Sequence, residues 1–283
     1  FLGQWMAYSC AYFAGPTMDL DAAQEAKFEH ICRKLRLQPG ERLLDIGCGW
    51  GGLLVYAARE YGVDATGINL SEPQVAYARE WIARAGVADR ARVEIRDYRD
   101  LDPAQPFDKI VSVGMFEHVG RARLPEYFGA AYRVLRPGGL FLNHGIASMK
   151  AHFEFSQTPS WIERTFFQRG QFTQRYVFPD GELVPISEAL VAAERAGFEC
   201  RDVESLREHY ALTLRHWVRQ LEARHDEAVR LTDERTYRVW RFYMSAAVVG
   251  FEAGETNVFQ ALLSKSRHGA AQVPLTREDL YRV

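Results

Sequence analysis

Residues 43–52 read LLDIGCGWGG, an apolar segment that ends in an acid and runs into four closely spaced glycines: Gly47, Gly49, Gly51 and Gly52. The apolar part has the length and composition of a buried strand. Glycines let a backbone turn sharply and approach a ligand closely, and a helix that starts near Gly51 would offer free N–H groups to that ligand. The segment therefore predicts a strand, a glycine turn and a helix of the kind that binds nucleotides.

Short apolar segments and helical patterns alternate along the first half of the chain. The strand-like segments are RLLDIGCG, DATGINL, RVEIRDY, KIVSVGMF and GLFLNHGI, between residues 42 and 146. Helical periodicity separates them, as in the segment that carries Leu124, Phe128 and Ala131. This alternation predicts βαβ units and therefore an α/β fold, with a mostly parallel central sheet and helices on both faces.

The pattern changes after Ile146. Residues 151–178 carry many aromatic side chains without strand alternation, which predicts a helical, aromatic insertion. The α/β pattern then resumes with a helix, ISEALVAAERAGF, and a strand, CRDVESL. A long amphipathic helix follows, with Leu214, Val218 and Leu221 on one face.

The chain shows no Gly/Ser-rich linker, internal repeat or low-complexity tract, so we predict a single domain over residues 1–283. We expect its Rossmann-like core at about 22–150 and 180–207, and helical cap or lid elements at about 1–21, 151–179 and 208–265. The first residue is Phe1 rather than Met, from which we expect that residues precede it.

The overall charge limits the classes of partner. A formal net charge of −2 and a pI of about 6.5 give no general attraction to nucleic acid or to an anionic membrane, so any membrane contact must be local. The four cysteines lack the spacing of a zinc site, and we expect reduced thiols. No apolar run reaches the length of a membrane span and no signal peptide is evident, which predicts a cytoplasmic protein without a metal.

A second notable segment is VSVGMFEHVG, residues 111–120, which leads an apolar strand into Glu117 and His118. Parallel sheets bind their ligands outside the carboxyl ends of the strands. Two groups that can accept or donate protons at such a strand end indicate acid–base chemistry next to the glycine turn.

The glycine turn departs from the nicotinamide pattern, because the second strand ends in Asn69 rather than in an acid. It resembles the class I S-adenosylmethionine-dependent methyltransferases, whose first motif has the form D-x-G-x-G-x-G, as in residues 45–51. A structural turn without a ligand is the alternative. The resemblance implies that the following residues contact the donor, the last two beside the adenine: Asp45, Gly47, Gly49, Gly51, Asn69, Asp97 and Tyr98.

Several separate motifs narrow the resemblance. They are YSCAYF, DAAQEAKFEHIC, LDIGCGWGG, RDYRDL, FDKIVSVGMFEHVG and HGI, between Tyr8 and Ile146. Together they look like the cyclopropane fatty acid synthase family, which includes the mycolic acid cyclopropane synthases, and the likeness extends to Lys265. The resemblance implies further donor contacts from Tyr8, Ser9, Leu70 and Gln74.

The same resemblance implies a bicarbonate site, and it can be transferred residue by residue. Its expected ligands are Cys10, Glu117, His144, Tyr210 and the backbone N–H of Ile146, while His118 is expected to orient Glu117 or to pack against the donor. One residue departs from the family pattern, since Gly145 stands where many members have threonine. This departure and the long aromatic insertion leave the substrate open.

The implied activity is the addition of a methylene bridge across a cis double bond of an unsaturated fatty acyl chain. S-adenosylmethionine donates the methyl group and becomes S-adenosylhomocysteine, and a carbocation on the chain is deprotonated with bound bicarbonate. The implied partner is an unsaturated acyl lipid, on a phospholipid or a carrier, and not a nucleic acid. The aromatic insertion is then a lid over an acyl channel, or else a surface helix packed on the core.

Transient peripheral contact with the inner membrane surface and a homodimer both remain open. Three alternatives to the cyclopropane product also stay open. Loss of a different proton would give a methyl- or methylene-branched chain through the same cation. A small-molecule N-methyltransferase shares the YSC and FEH motifs, although an amine substrate needs no bicarbonate. A catalytically silent lipid- or nucleotide-binding protein is the third.

Overall fold

The computed structural model describes residues 1–149, 169–179, 181–270 and 273–281, without the side chains of residues 169–171 and 281. Seven strands form one sheet in this part of the chain: β1 (Arg42–Ile46), β2 (Asp64–Asn69), β3 (Ala91–Ile95), β4 (Phe107–Val113), β5 (Leu135–Ser148), β6 (Glu199–Ser205) and β7 (Thr256–Ser264). Their order across the sheet is β3-β2-β1-β4-β5-β7-β6, and β7 runs antiparallel to both β5 and β6, whereas the other neighbouring pairs are parallel.

The described helices are α1 (Leu20–Leu35), α2 (Gly52–Tyr61), α3 (Glu72–Arg84), α4 (Leu124–Val134), α5 (Arg169–Tyr176), α6 (Ile186–Arg195), α7 (Arg207–Ala223), α8 (His225–Leu231), α9 (Glu234–Glu252) and α10 (Glu278–Tyr281). α1, α2 and α3 cover one face of the sheet, and α4 and α6 cover the other. The predicted α/β fold, with a mostly parallel sheet between helices, is confirmed.

The core follows from the alternation of side chains along buried strands. In β1, Leu43 contributes to the apolar cluster on the α1–α3 face, and its neighbour Leu44 contributes to the cluster on the α4–α6 face. Both leucines are fully buried. The strand order reverses between β1 and β4, and ligands bind at such a switch point because neighbouring crossover connections diverge there.

A third apolar cluster lies beyond the sheet, where the N-terminal segment packs on α7 and α9. Its backbone hydrogen bonds to side chains of α7: the Ala11 N–H donates to Thr213 Oγ1 at 3.0 Å, and the Phe13 N–H donates to His209 Nδ1 at 2.9 Å. The prediction of helical structure over residues 1–21 is therefore wrong for residues 1–19, because these N–H groups bind α7 instead of a preceding turn.

The helical prediction for residues 208–265 is wrong at its end. Helix α9 stops at Glu252, Gly254 adopts a positive φ of 74°, and β7 then inserts between β5 and β6. Helices cover both faces of the sheet, and β7 contributes to the apolar cluster on each face, with Leu262 on one and Leu263 on the other. A strand buried on both faces need not alternate, and its sequence, TNVFQALLS, lacks the alternation that identifies a half-buried strand.

Part of the aromatic insertion lies outside the described residues, including Phe153, Phe155, Trp161, Phe166 and Phe167. Its last part contains α5, and Phe172 of α5 packs edge-on against Phe242 of α9 with 4.9 Å between ring centroids. None of the described helices is long and apolar enough to cross a membrane.

Tyr127 links α4 to the sheet, because its buried hydroxyl donates to Asn143 Oδ1 of β5 at 2.9 Å. Tyr127→Phe should lower the free energy of unfolding by about 1–3 kcal/mol, since it removes the donor of a buried acceptor. Urea denaturation measures this change. The matched change at the exposed Tyr176, Tyr176→Phe, should have an effect of about 0.5 kcal/mol or less. Equal effects of the two changes would contradict the importance of this bond.

Candidate active site

A cavity of about 450 Å³ opens at the carboxyl ends of β1, β4 and β5, beneath the N-terminal segment and helices α7 and α9. Most of the residues predicted for the site line it: Tyr8, Ser9, Cys10, Asp45, Gly47, Gly49, Asn69, Gln74, Glu117, His118, His144, Ile146 and Tyr210. The structure thus brings together residues from the chain's N-terminus, from four strands and their following turns, and from α7.

Two residues that were predicted to contact the methyl donor, Gly51 and Leu70, do not line the cavity. Gly51 is the N-cap of α2 with a φ of 90°, and a Cβ there would lie 2.9 Å from Cβ of Ala78 in α3. Its glycine is therefore required by backbone conformation and by helix packing. Leu70 follows β2 and is 66% exposed.

The two residues predicted beside the adenine, Asp97 and Tyr98, also lie outside the lining. The Asp97 carboxylate pairs with Arg99, and the hydrogen bond from that guanidinium lowers the pKa of Asp97. The Tyr98 ring packs edge-on against Tyr127 at 5.5 Å. Their contact with an adenine stays a prediction.

The glycine turn has the conformation that its sequence requires. Gly47 and Gly49 have φ values of 80° and 54°, in the left-handed region that favours glycine. A Cβ on Gly47 would lie 2.9 Å from Cγ of Met115, which shows how closely the β4 turn approaches. At the end of β2, the Asn69 amide donates to the Gly49 carbonyl at 3.2 Å and to Gln74 Oε1 at 2.8 Å. Asn69 therefore stabilises the glycine turn through its hydrogen bond to Gly49.

Glu117 is buried at the carboxyl end of β4, in a short 3₁₀ turn over Phe116–His118. Its Oε1 accepts the Ile146 N–H at 3.3 Å. Its Oε2 is buried, and no described residue gives it a hydrogen bond. Burial raises the pKa of Glu117 to about 7, against the opposing effect of backbone hydrogen bonds. The carboxyl group can therefore gain or lose a proton near neutral pH.

His144 of β5 is buried and neutral. Burial, with a further contribution from Lys27 and Lys34, lowers the pKa of the imidazole to about 3. Gln260 lies directly opposite on β7, and its Nε2 is 3.1 Å from His144 Nδ1. The amide N–H donates and Nδ1 accepts, so the imidazole carries its proton on Nε2. His144 therefore offers an N–H donor with its other ring nitrogen.

Cys10 and Tyr210 complete this group from the N-terminal segment and from α7. Burial raises the pKa of both side chains, so that each keeps its proton. The Cys10 thiol has one hydrogen to donate, and two carbonyl oxygens can accept it, that of Ala11 at 3.2 Å and that of Leu206 at 3.7 Å. The Tyr210 ring packs at 4.7 Å from that of Phe251.

The remaining predicted residues form an aromatic wall. Tyr8 stacks on Trp217 at 5.0 Å, and burial together with the neighbouring Tyr243 raises its pKa. His118 packs edge-on against Phe178 at 5.5 Å. Tyr243 and Phe178, which also line the cavity, were not predicted as site residues.

Gly145, the departure from the family pattern, has a structural explanation. A Cβ at this position would lie 2.1 Å from Cδ1 of Phe116 and 2.9 Å from Oε2 of Glu117. The ring of Phe116, which is buried in the core, thus occupies the space that a threonine side chain would need.

Two further residues of the site, Lys27 and Gln260, were not predicted from the sequence. Lys27 of α1 is fully buried, lines the cavity, and donates from Nζ to Ser9 Oγ at 2.9 Å. Next to it, burial raises the pKa of Asp45 to about 7, opposed by Lys27, and Asp45 Oδ1 is buried without a hydrogen bond from the described residues. A charged or amide side chain within an apolar helix face or strand is the signal that could have found both.

The strand order, the antiparallel seventh strand and the glycine turn at the switch point define the class I methyltransferase fold. The crystal structure of mycolic acid cyclopropane synthase CmaA1, complexed with SAH and CTAB, is similar, with a TM-score of 0.87 and 34% identity over 93% of this chain and 91% of that one. The chain belongs to the mycolic acid cyclopropane synthetase family, whose model matches residues 1–261. The predicted family is confirmed, and it is a family of S-adenosylmethionine-dependent methyltransferases.

Two relatives extend the comparison. A probable fatty acid methyltransferase of Pseudomonas putida is 46% identical over 285 residues, which cover 100% of this chain and 70% of that protein. The cyclopropane-fatty-acyl-phospholipid synthase of Escherichia coli K12 is 35% identical over 272 residues, which cover 96% of this chain and 65% of that protein. The chain therefore spans about two thirds of the length of these relatives.

Gln260 should set the tautomer of His144. Gln260→Glu replaces the donating amide with a carboxylate, which accepts a hydrogen bond from an Nδ1–H and should therefore move the ring proton from Nε2 to Nδ1. Nitrogen-15 NMR of histidine-labelled protein measures the tautomer, with His144→Gln to assign the signals. The exposed Gln105→Glu should leave it unchanged. A ring already protonated on Nδ1 in the native protein would contradict this arrangement.

Proposed function

We propose that the chain adds a methylene bridge across a cis double bond of an unsaturated fatty acyl chain, with S-adenosylmethionine as the methyl donor and bicarbonate at the base site. The observation that carries the proposal is the Glu117 carboxyl group. It is buried beside the glycine turn, its pKa is raised to about 7, and its Oε2 has no partner among the described residues. A proton acceptor in this position suits a reaction whose last step is a deprotonation.

The residues around the glycine turn fit the donor. The positive φ angles of Gly47 and Gly49 open the backbone to a close ligand, and a Cβ on Gly49 would meet no atom within 4 Å. Asp45 offers a buried, unpartnered oxygen among the described residues, which suits a ligand N–H or ammonium group. When bound, the donor supplies an electrophilic sulfonium methyl group.

The second group of residues fits a small oxyanion. The hydrogen-bond donors of His144 and Tyr210 line the same cavity as Glu117, which could accept the hydroxyl hydrogen of bicarbonate. When bound, bicarbonate supplies a small base that solution can replace. The other two predicted ligands are engaged with protein atoms: the Ile146 N–H binds Glu117, and the Cys10 thiol binds backbone carbonyls. Both would have to exchange these bonds.

The chemistry explains why the walls of the cavity are aromatic. An isolated alkene is a weak nucleophile, so the chain must hold it in line with the methyl group and exclude water. Tyr8, Phe178 and Tyr243 provide such walls. Methyl transfer leaves a positive charge on the acyl chain, and ring closure requires loss of a proton from the new methyl group. Glu117 can take up this proton, directly or from the bound base.

The nearest alternative is a methyl- or methylene-branched product, which arises from the same cation by loss of a different proton. The similarity to the probable fatty acid methyltransferase of P. putida supports this alternative. A small-molecule N-methyltransferase is less well supported, because an amine substrate needs no bicarbonate and so leaves His144, Ile146 and Tyr210 without a role.

The route of the acyl chain is also a proposal. Thr173 of α5 and the nearby Phe178 line the cavity, which supports the aromatic insertion as a lid over an acyl channel. A lipid substrate would require transient contact of the protein with the inner membrane surface, or delivery by a carrier. A homodimer is compatible with either route.

Product analysis tests the proposal. The purified protein is given S-adenosylmethionine with a labelled methyl group, bicarbonate, and an oleoyl chain as phospholipid vesicles, as acyl carrier protein thioester or as coenzyme A thioester. We expect a product heavier by one methylene group, with the upfield proton NMR signals of a cyclopropane. Vinylidene or methyl-branch signals would instead support the branched alternative. Failure to release S-adenosylhomocysteine with every acyl form would contradict the proposal.

Glu117 and Gly49 should separate catalysis from donor binding. Turnover should rise with pH around a midpoint of about 7, because Glu117 accepts a proton only when it is ionised. Glu117→Gln should retain donor affinity and lose at least about 100-fold in kcat, without this pH dependence. Gly49→Val, which strains a positive φ, should lose the donor itself. Calorimetry with S-adenosylhomocysteine and single-turnover rates provide the two measurements. Equal loss of donor affinity in both variants would overturn this division of roles.

A further inference from the structure

Lys27 is a buried lysine that has no ion-pair partner among the described residues. It is 1% exposed, and its Nζ donates to Ser9 Oγ at 2.9 Å, but no described carboxylate lies within ion-pair distance of it. Buried lysines are rare unless they are paired. Lys34, two turns later on the same helix and equally buried, follows this rule, since it pairs with Glu204 at 2.5 Å and with Asp202 at 3.2 Å.

Lys27 also stands at the junction of the two predicted subsites. It lines the cavity together with Asp45 of the glycine turn and with Cys10 and His144 of the proposed bicarbonate site. Its charge opposes the rise in the pKa of Asp45 and contributes to the lowered pKa of His144, so it acts on both sides of the junction. Burial lowers the pKa of Lys27 to about 7, which an anion at Nζ would raise again.

The proposed bicarbonate site needs such a cation. Its predicted donors are uncharged, because His144 is neutral and Tyr210 and Cys10 keep their protons. Glu117 adds negative charge whenever it is ionised. Uncharged donors alone compensate poorly for the transfer of an anion out of water. Among the described residues that line the cavity, Lys27 has a cationic side chain, and that side chain has no ion-pair partner.

We propose that Lys27 is the charged ligand for a carboxylate-type oxyanion at the junction of the glycine turn and the base site. This inference rests on the proposed function and adds a binding residue to the same cavity. Two ligands carry this chemistry: the amino-acid carboxylate of the donor, and hydrogen carbonate. In the first case the opposite charges of Lys27 and Asp45 match the two charges of the donor's amino-acid end.

Binding of two analogues of the methyl donor tests whether the oxyanion at Lys27 is the amino-acid carboxylate of the donor. S-adenosylhomocysteine carries the amino-acid carboxylate, whereas methylthioadenosine lacks it. If Lys27 binds this carboxylate, Lys27→Met should lower the affinity for S-adenosylhomocysteine about 10- to 100-fold. The affinity for methylthioadenosine should stay within about twofold of the native value, as measured by calorimetry. These measurements need no turnover, so they test Lys27 even if no acyl chain is methylated.

Binding of carbon-13-labelled hydrogen carbonate, followed by NMR line broadening, distinguishes the second source. If Lys27 binds hydrogen carbonate, Lys27→Met should abolish the broadening that the native protein causes and leave S-adenosylhomocysteine affinity unchanged. Retention of both affinities in a folded variant would overturn the proposal.

Lys34→Met is the matched control, because it removes a lysine of equal burial from the same helix face but outside the cavity. It leaves Glu204 and Asp202 without their shared cation, so it should lower the melting temperature. The affinities for S-adenosylhomocysteine and for hydrogen carbonate should stay within about twofold of the native values. Lys27→Gln keeps a donor for Ser9 without the charge, and it must give the same losses as Lys27→Met. Native affinity for both anions in Lys27→Gln would likewise overturn the role of the charge.

Discussion

Removal of water from the carboxyl ends of β1, β4 and β5 is the constraint on which the site depends. Burial brings the pKa values of Asp45, Glu117 and Lys27 to about 7, from ordinary values far below or above neutrality. Near neutral pH these groups are thus balanced between their charged and uncharged forms. The arrival of a charged ligand or of a proton can therefore decide their state, which suits a cavity for sulfonium and carbocation chemistry.

This removal of water depends on parts of the chain that are far apart in sequence. The N-terminal segment carries Tyr8, Ser9 and Cys10 over the sheet edge, and its backbone is held by Thr213 and His209 of α7. The segment has no regular structure because its N–H groups serve these tertiary contacts. The strands thus form the sheet, whereas the N-terminal segment and α7 cover the edge of the sheet at which ligands bind.

The sequence predicted the α/β alternation, the glycine turn, the family, and the convergence of Glu117 with the other proposed bicarbonate ligands on one cavity. It failed for residues 1–19 and for β7, where tertiary hydrogen bonds and burial on both faces override the local pattern. Lys27 and Gln260 were missed for a related reason. Each stands in an otherwise apolar segment, and only the packing reveals that Lys27 faces Ser9 and Gln260 faces His144.

Residue types and their spacing specify the chemistry that is available: glycines at positive φ, an acid at the end of β4, and the motifs of a methyltransferase family. These are local properties, because spacing and residue type are sufficient to specify a turn and a strand end. Packing sets the shifted pKa values of Glu117 and His144, the exclusion of threonine at position 145 by Phe116, and the lack of an ion-pair partner for Lys27 among the described residues. Each of these depends on burial and on neighbours distant in sequence, since both the dielectric surroundings and the available partners are set by packing.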